Sequence, residues 1–157
     1  MYHWILKPFQ DLTPDELYTL IRLRLEVFVV EQNCVFQDLD NKDRVCYHLM
    51  GWTSEPAFAE GAGTPLLAAY ARLVPPGVSY VEPSIGRVVT SPAVRGQGAG
   101  RALMQEAIRR VYDLYDKQSI KIGAQQHLQG FYGSLGFEKT SEMYLEDNIP
   151  HIEMRKK

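Results

Sequence analysis

Residues 95–100 read Arg-Gly-Gln-Gly-Ala-Gly and stand between an apolar stretch, Ile85 to Val89, and a helix-like run, Arg101 to Tyr115. Glycines let consecutive amides converge on one concavity with no side chain in the way. The start of the following helix adds N–H groups without an intrahelical partner and the positive end of its dipole. The stretch therefore reads as a backbone cradle for an anion, and the anion it suits is the phosphate of a cofactor.

Spacing excludes two common phosphate loops. A dinucleotide-binding turn that uses Gly96 and Gly98 needs its third glycine at position 101, where this chain has arginine. A nucleoside-triphosphate loop counted from Gly96 also arrives at Arg101, with alanine after it in place of lysine.

Working outward from the loop, Val81 to Thr90 reads as a strand, Arg101 to Asp116 as a helix and Ile120 to Ala124 as a further strand, a crossover unit around the cradle. Upstream, Tyr2 to Phe9 reads as a first strand. Thr13-Pro14-Asp15-Glu16 is a helix start, with a capping hydroxyl, proline in the first turn and acids at the positive dipole end. The helix it opens carries Leu17, Leu20, Ile21, Leu23, Val27 and Phe28 near helical spacing. Val45 to Trp52 and Leu66 to Leu73 read as an antiparallel hairpin joined by the loop Thr53 to Pro65. Downstream, a helix from His127 to Leu135 stops at Gly136. Phe137 to Tyr144 and His151 to Arg155 then form closing strands around a turn from Glu146 to Pro150. The fold class is α/β, a mixed sheet of about six or seven strands with a few helices.

The segment Glu31 to Arg44 is polar and carries Asp38, Asp40, Asn41 and Asp43, either as a cover over a substrate site or as a plain connection. A calcium loop is disfavoured, because the sharp-turn glycine and the closing bidentate glutamate are both missing. No metal is expected.

With 157 residues, 45% of them hydrophobic and 11% aromatic, the chain suits one domain spanning residues 1–157. Its 17 basic and 19 acidic residues leave a net charge of -2, without the basic excess that a nucleic-acid binder uses to displace counterions. Cys34 and Cys46 are too few for a disulfide scaffold and lack metal-binding spacing. The N-terminus shows no signal-peptide pattern, and no apolar run approaches the roughly 18 residues of a membrane span. A soluble cytoplasmic protein with reduced cysteines is expected. The open edges of its sheet allow a homodimer.

The pattern Arg95-x-x-Gly98-x-Gly100, preceded by Val-x-x-x-x-Val and a proline, resembles the acyl-coenzyme-A signature of the GNAT acetyltransferase superfamily. Phe131-Tyr132-x-x-Leu135-Gly136-Phe137 resembles its second motif, at about the separation the superfamily shows. Leu23-Arg24-x-x-Val27-Phe28-Val29-Val30-Glu31-Gln32, Gln37-Asp38-x-Asp40, Ile85-Gly86-Arg87-Val88, Gly123-Ala124-Gln125-x-His127-Leu128-Gln129 and Ile149-Pro150-His151-Ile152 extend the resemblance to the ElaA-like branch over essentially the whole chain.

The resemblance implies a sheet that splays into a V, flanked by about four helices, with acetyl-CoA lying in the slot. Backbone groups of Val88, Val89 and Thr90 would pair with the pantetheine arm, and the amides of Arg95, Gly96, Gln97, Gly98, Ala99 and Gly100 with the pyrophosphate. Arg101 either adds charge there or is an ordinary solvated residue. Gln125 stands where the family commonly has asparagine, and Leu128 where it has alanine, so Gln125 is the candidate for a pantetheine contact.

Tyr132 matches the position whose hydroxyl often protonates the leaving sulfur; its alternative is a buried helix aromatic. A backbone amide near Val89 is the expected donor to the thioester oxygen. For the general base the chain offers Glu31, Asp38, Glu82, His127 and His151 without a choice among them, and removal of the proton through water needs none. His151 is either part of an acceptor wall or a structural histidine, and Glu31 a residue that helps to bind a cationic amine. The expected reaction is acetyl transfer to an amine: a small molecule, an amino-acid derivative or a peptide N-terminus. The alternatives are transfer of a longer acyl group and a catalytically silent acyl-CoA-binding sensor or interaction module.

Overall fold

The computed structural model describes residues 2–54 and 65–157, so most of the loop expected over 53–65 lies outside the described residues. Strand β1, His3–Pro8, leads into helix α1, Pro14–Leu25. The helix starts where its caps dictate. The Glu16 N–H donates to Thr13 Oγ1 at 3.1 Å, and the Glu16 carboxylate accepts the Thr13 N–H at 2.8 Å. At its far end α1 widens into a π-helical turn, Glu26–Glu31, a distortion that recurs near functional sites.

Strands β2 (Tyr47–Trp52), β3 (Leu67–Val74) and β4 (Ser84–Thr90) complete a first sheet in the order β1-β2-β3-β4, antiparallel throughout. The expected hairpin is present as β2 and β3. Every residue of β3 is buried, because both faces of the sheet are covered. Met50, Trp52, Leu67, Tyr70 and Val89 pack against Leu20, Leu23 and Val27 of the α1 segment. On the other face Leu49, Ala69, Ala71, Leu73 and Ile85 pack against helix α2, Ala99–Tyr115, through Leu103, Met104, Ala107 and Val111. The small Ala69 and Ala71 let that helix sit close to the sheet.

The second sheet holds β5 (Ile120–Gln125), β6 (Phe137–Lys139), β7 (Tyr144–Glu146) and β8 (Ile149–Lys156), in the order β5-β8-β6 with β7 also on β8. The strand expected over 137–144 is broken. Lys139 pairs with Met154 and Tyr144 with His151, so residues 140–143 oppose only 152–153 and bulge out. Ser141 Oγ fixes the bulge by accepting the Glu153 N–H at 2.9 Å. Asp147 and Asn148, with φ of 52° and 63°, make a tight turn between β7 and β8. The helix expected over 127–135 is shorter as well: a 3-10 turn leads into α3, Gln129–Gly133, and Gly136 follows in the left-handed region with φ of 97°.

The two sheets meet along β4 and β5 without a ladder between them. One backbone bond, from Lys121 N–H to the Pro83 carbonyl at 3.1 Å, joins the strands at their starts. Beyond it they flank a cleft. The expected α/β fold with a V-shaped splay is present, and among the described residues its eight strands form two antiparallel sheets in place of one mixed sheet, because no ladder joins β4 to β5. Two main helices, a short third helix and the π-helical turn accompany them.

Candidate active site

The cleft has a volume of about 400 Å³. One wall is β4 from Ile85 to Thr90; the other is Ile122, Gly123 and Gln125 of β5. Val27, Phe28, Glu31 and Gln32 of the α1 segment, Tyr132, and Glu146, Asp147 and His151 of the β7–β8 hairpin close it.

β4 is shaped for this position by a bulge. Tyr70 pairs with Val89 and Arg72 with Gly86, so Ala71 faces both Arg87 and Val88, and the ladder is interrupted where the strand borders the cleft. Arg87 sits at φ 49°, a conformation that costs a residue with a side chain on the order of 1–2 kcal/mol. Its side chain is anchored: Nε donates to Asp38 Oδ1 at 2.9 Å, and Nη2 to the Asp38 carbonyl at 3.0 Å.

That anchor is part of an ion network that the sequence reading missed. Arg24, fully buried, donates through Nε to Asp38 Oδ2 at 2.9 Å and through Nη1 to Asp43 Oδ1 at 2.8 Å. Arg72 donates to Asp40 Oδ2 at 2.6 Å and to Asp43 Oδ1 at 3.2 Å. Burial works to raise the Asp40 and Asp43 carboxyls, but hydrogen bonds and positive charge from Arg72 and Arg24 outweigh it and hold both below the usual carboxylate range. The aspartates of the 38–43 segment are therefore bound to arginines rather than disposed around a cation. Asp38, one candidate base, is committed to Arg24 and Arg87 and buried. A signal was present in the spacing: Arg24 falls on the same helical stripe as Leu20, Leu23 and Val27, where a charge needs a buried partner.

After β4 the chain makes a 3-10 turn, Pro92–Val94, and reaches the glycine loop. Gly96 and Gly98 take φ of 80° and 77°. Gly98 is the N-cap of α2 and has no side chain to occupy the helix start. The Arg95 amide, expected in the cradle, instead closes the 3-10 turn by donating to the Pro92 carbonyl at 3.4 Å, whereas none of the amides of Gly96, Gln97, Gly98, Ala99, Gly100 or Arg101 donates a hydrogen bond to another described residue. Ala99 contributes only its backbone, since its side chain is packed with Ala68 and Val94. The Arg101 side chain donates to Ser134 Oγ at 2.7 Å. Arg95 lines the cleft and pairs with Glu31, Nη1 to Oε1, at 2.6 Å.

Val88, Val89, Thr90, Arg95, Gln125, Tyr132, Glu31 and His151 thus border one cleft, with residues 96–101 at the adjoining helix start. Gln125 Nε2 donates to Gln32 Oε1 at 3.3 Å. Tyr132 is buried, edge-on to Phe131 and Phe137, and its hydroxyl bonds to no described residue. Burial pushes that hydroxyl up to about 12. His151 Nδ1 lies 2.7 Å from the Ile149 carbonyl, which can only accept, so the proton is on Nδ1. Nε2 is then the basic nitrogen, 3.4 Å from Glu146 Oε2. Of the other candidate bases, His127 also borders the cleft, and Glu82 does not.

Comparison with known proteins agrees with this geometry. Residues 60–157 match the family described as Acetyltransferase (GNAT) domain. A UPF0039 protein of Synechocystis sp. is 40% identical, over 97% of this chain and 93% of its own length. Protein ElaA of Escherichia coli is 38% identical, over 98% and 95%. A solved acyl-CoA N-acyltransferase from Pseudomonas aeruginosa superposes with a TM-score of 0.88 at 43% identity, and the crystal structure of Escherichia coli ElaA with 0.87 at 36%, each covering 100% of both chains. Fold, cleft and sequence together place this chain in the GNAT acetyltransferase family, beside ElaA.

Proposed function

We propose that this protein transfers an acetyl group from acetyl-CoA to an amine acceptor, within one catalytic domain of residues 1–157 in a reducing, cytoplasmic setting. Family membership makes it an acyltransferase that draws on acyl-CoA; the acetyl donor and the amine acceptor are the finer reading. One observation carries it. The amides from Gly96 to Arg101 donate to no other described residue, and they open beside a cleft that also holds the unbonded Tyr132 hydroxyl.

On this reading residues 96–101 hold the pyrophosphate by their amides and the positive end of α2. The bulged β4, through Val88, Val89 and Thr90, hydrogen-bonds the pantetheine arm as a neighbouring strand would. An amide near Val89 stabilises charge on the thioester oxygen. His151 Nε2, directly or through water, takes the proton that the amine must lose. The amine nitrogen bonds to the acyl carbon, the carbon–sulfur bond breaks, and Tyr132 gives its proton to the departing thiolate. Burial keeps Tyr132 protonated, which is the form an acid requires.

The test is an amine-acceptor screen with acetyl-CoA, followed by mass measurement of the product and by comparison of acetyl-, propionyl- and succinyl-CoA. An acetylated amine with acetyl-CoA preferred supports the proposal. Preference for a longer donor reassigns the acyl group, and binding without turnover with any amine makes the protein a sensor.

A further inference from the structure

We infer that Glu31 and Gln32 hold the donor-binding groups of the cleft in reserve and are displaced by the donor when it binds. The inference rests on the acyl-CoA reading above. These consecutive residues close the π-helical turn, and each is bonded to a residue assigned to the donor. Glu31 Oε1 is 2.6 Å from Arg95 Nη1, beside the amides of residues 96–101. Gln32 Oε1 accepts from Gln125 Nε2 at 3.3 Å, in the position assigned to the pantetheine arm.

The two bonds reach different sheets: Arg95 follows β4 of the first, and Gln125 ends β5 of the second. Together they tie one helix end across the V. Two residues further on, Cys34 Sγ donates to the Asp147 carbonyl at 3.3 Å and carries the same crossing to the β7–β8 turn.

The exchange is favoured by charge. The Glu31 and Arg95 side chains are 42% and 46% exposed, and an ion pair so open to water is weak. A pyrophosphate brings more than one negative charge to the same guanidinium and gains the amides of residues 96–101 besides. The pantetheine amides replace Gln32 on Gln125 in the same way. Glu31 and Gln32 then face the cleft without their former partners, so an acidic group for a cationic amine becomes available only in the donor-loaded protein.

Two probes separate the two bonds. Coenzyme A carries the pyrophosphate and the pantetheine arm; pantetheine carries only the arm. Calorimetry of coenzyme A, and NMR titration of pantetheine, are compared among the wild type, Glu31→Gln and Gln32→Ala. Glu31→Gln is expected to bind coenzyme A about two- to fivefold tighter, the range an exposed ion pair spans, and pantetheine unchanged. Gln32→Ala is expected to tighten both. A residue that merely supports the fold would weaken both probes. If coenzyme A fails to bind the wild type, the acyl-CoA reading itself falls. If it binds the wild type and Glu31→Gln binds it no tighter, or tightens pantetheine equally, the exchange is overturned and the acyl-CoA reading stands.

Discussion

Arg24 and Asp38 meet inside the protein through a 2.9 Å bond from Nε to Oδ2, and neither side chain is exposed. The bond joins helix α1 to the polar segment after it, and Asp38 passes the constraint to Arg87 on the bulge of β4. A network outside the cleft thus holds one wall of it. Arg24→Leu takes the buried donors from Asp38 Oδ2 and Asp43 Oδ1 and leaves Asp38 only Arg87 and Asp43 only Arg72, so it is expected to cost about 3 kcal/mol in urea unfolding, the lower end for a broken buried pair. Arg24→Lys should restore little, because one ammonium cannot reproduce the forked bonds to Asp38 and Asp43.

Stability should fall in two stages on acidification. His48 is neutral and buried: Nε2 donates to the Asp43 carbonyl at 2.9 Å, and Nδ1 accepts from the Tyr70 hydroxyl at 2.8 Å. Burial holds it below its ordinary range. The unfolded chain then takes up this proton more readily, and stability is lost as pH drops below about 6.5. Asp40 and Asp43 are also held low, so their contribution is present above about 4 and lost below it. Urea midpoints at pH 7.5, 5 and 3.5 should show both stages, and His48→Gln should flatten the first alone.

Tyr132→Phe is expected to lower kcat by about 10²-fold with coenzyme A affinity unchanged. Its hydroxyl has no described partner, so the substitution breaks no internal hydrogen bond and the melting temperature should stay within a few degrees of wild type. Because burial raises the hydroxyl to about 12, the wild-type rate should show no loss from Tyr132 ionisation up to about pH 11. A drop in rate that tracked a drop in melting temperature would point to packing instead of proton donation.

Glycine substitutions should separate backbone strain from collision. A Cβ at Gly98 would meet nothing within 4 Å, but φ is +77°. Gly98→Ala is therefore expected to cost about 1 kcal/mol through the backbone and to weaken coenzyme A binding by tilting the amides. A Cβ at Gly123 would lie 3.0 Å from the Tyr144 hydroxyl and 3.1 Å from that of Tyr80. Gly123 lines the cleft, so Gly123→Ala must push both hydroxyls back and shift the wall at that point, and should change acceptor KM more than donor KM in steady-state kinetics.

Local sequence determined what local physics decides. The Thr13–Glu16 capping box set the start of α1, the left-handed glycines 96 and 98 set the turn into α2, and the apolar pattern set the β2–β3 hairpin and the crossover. Each depends on residues a few positions apart. Tertiary structure decided whatever depends on partners distant in the chain. The split between β4 and β5 arises because no ladder forms there, which neither strand encodes alone. The break between β6 and β7 arises from their register on β8. Asp38, Asp40 and Asp43 read as a loop because their arginines come from α1, β3 and β4. The pairing of Glu31 with Arg95 and of Gln32 with Gln125 was equally out of reach, since it depends on how a helix end lies across two sheets.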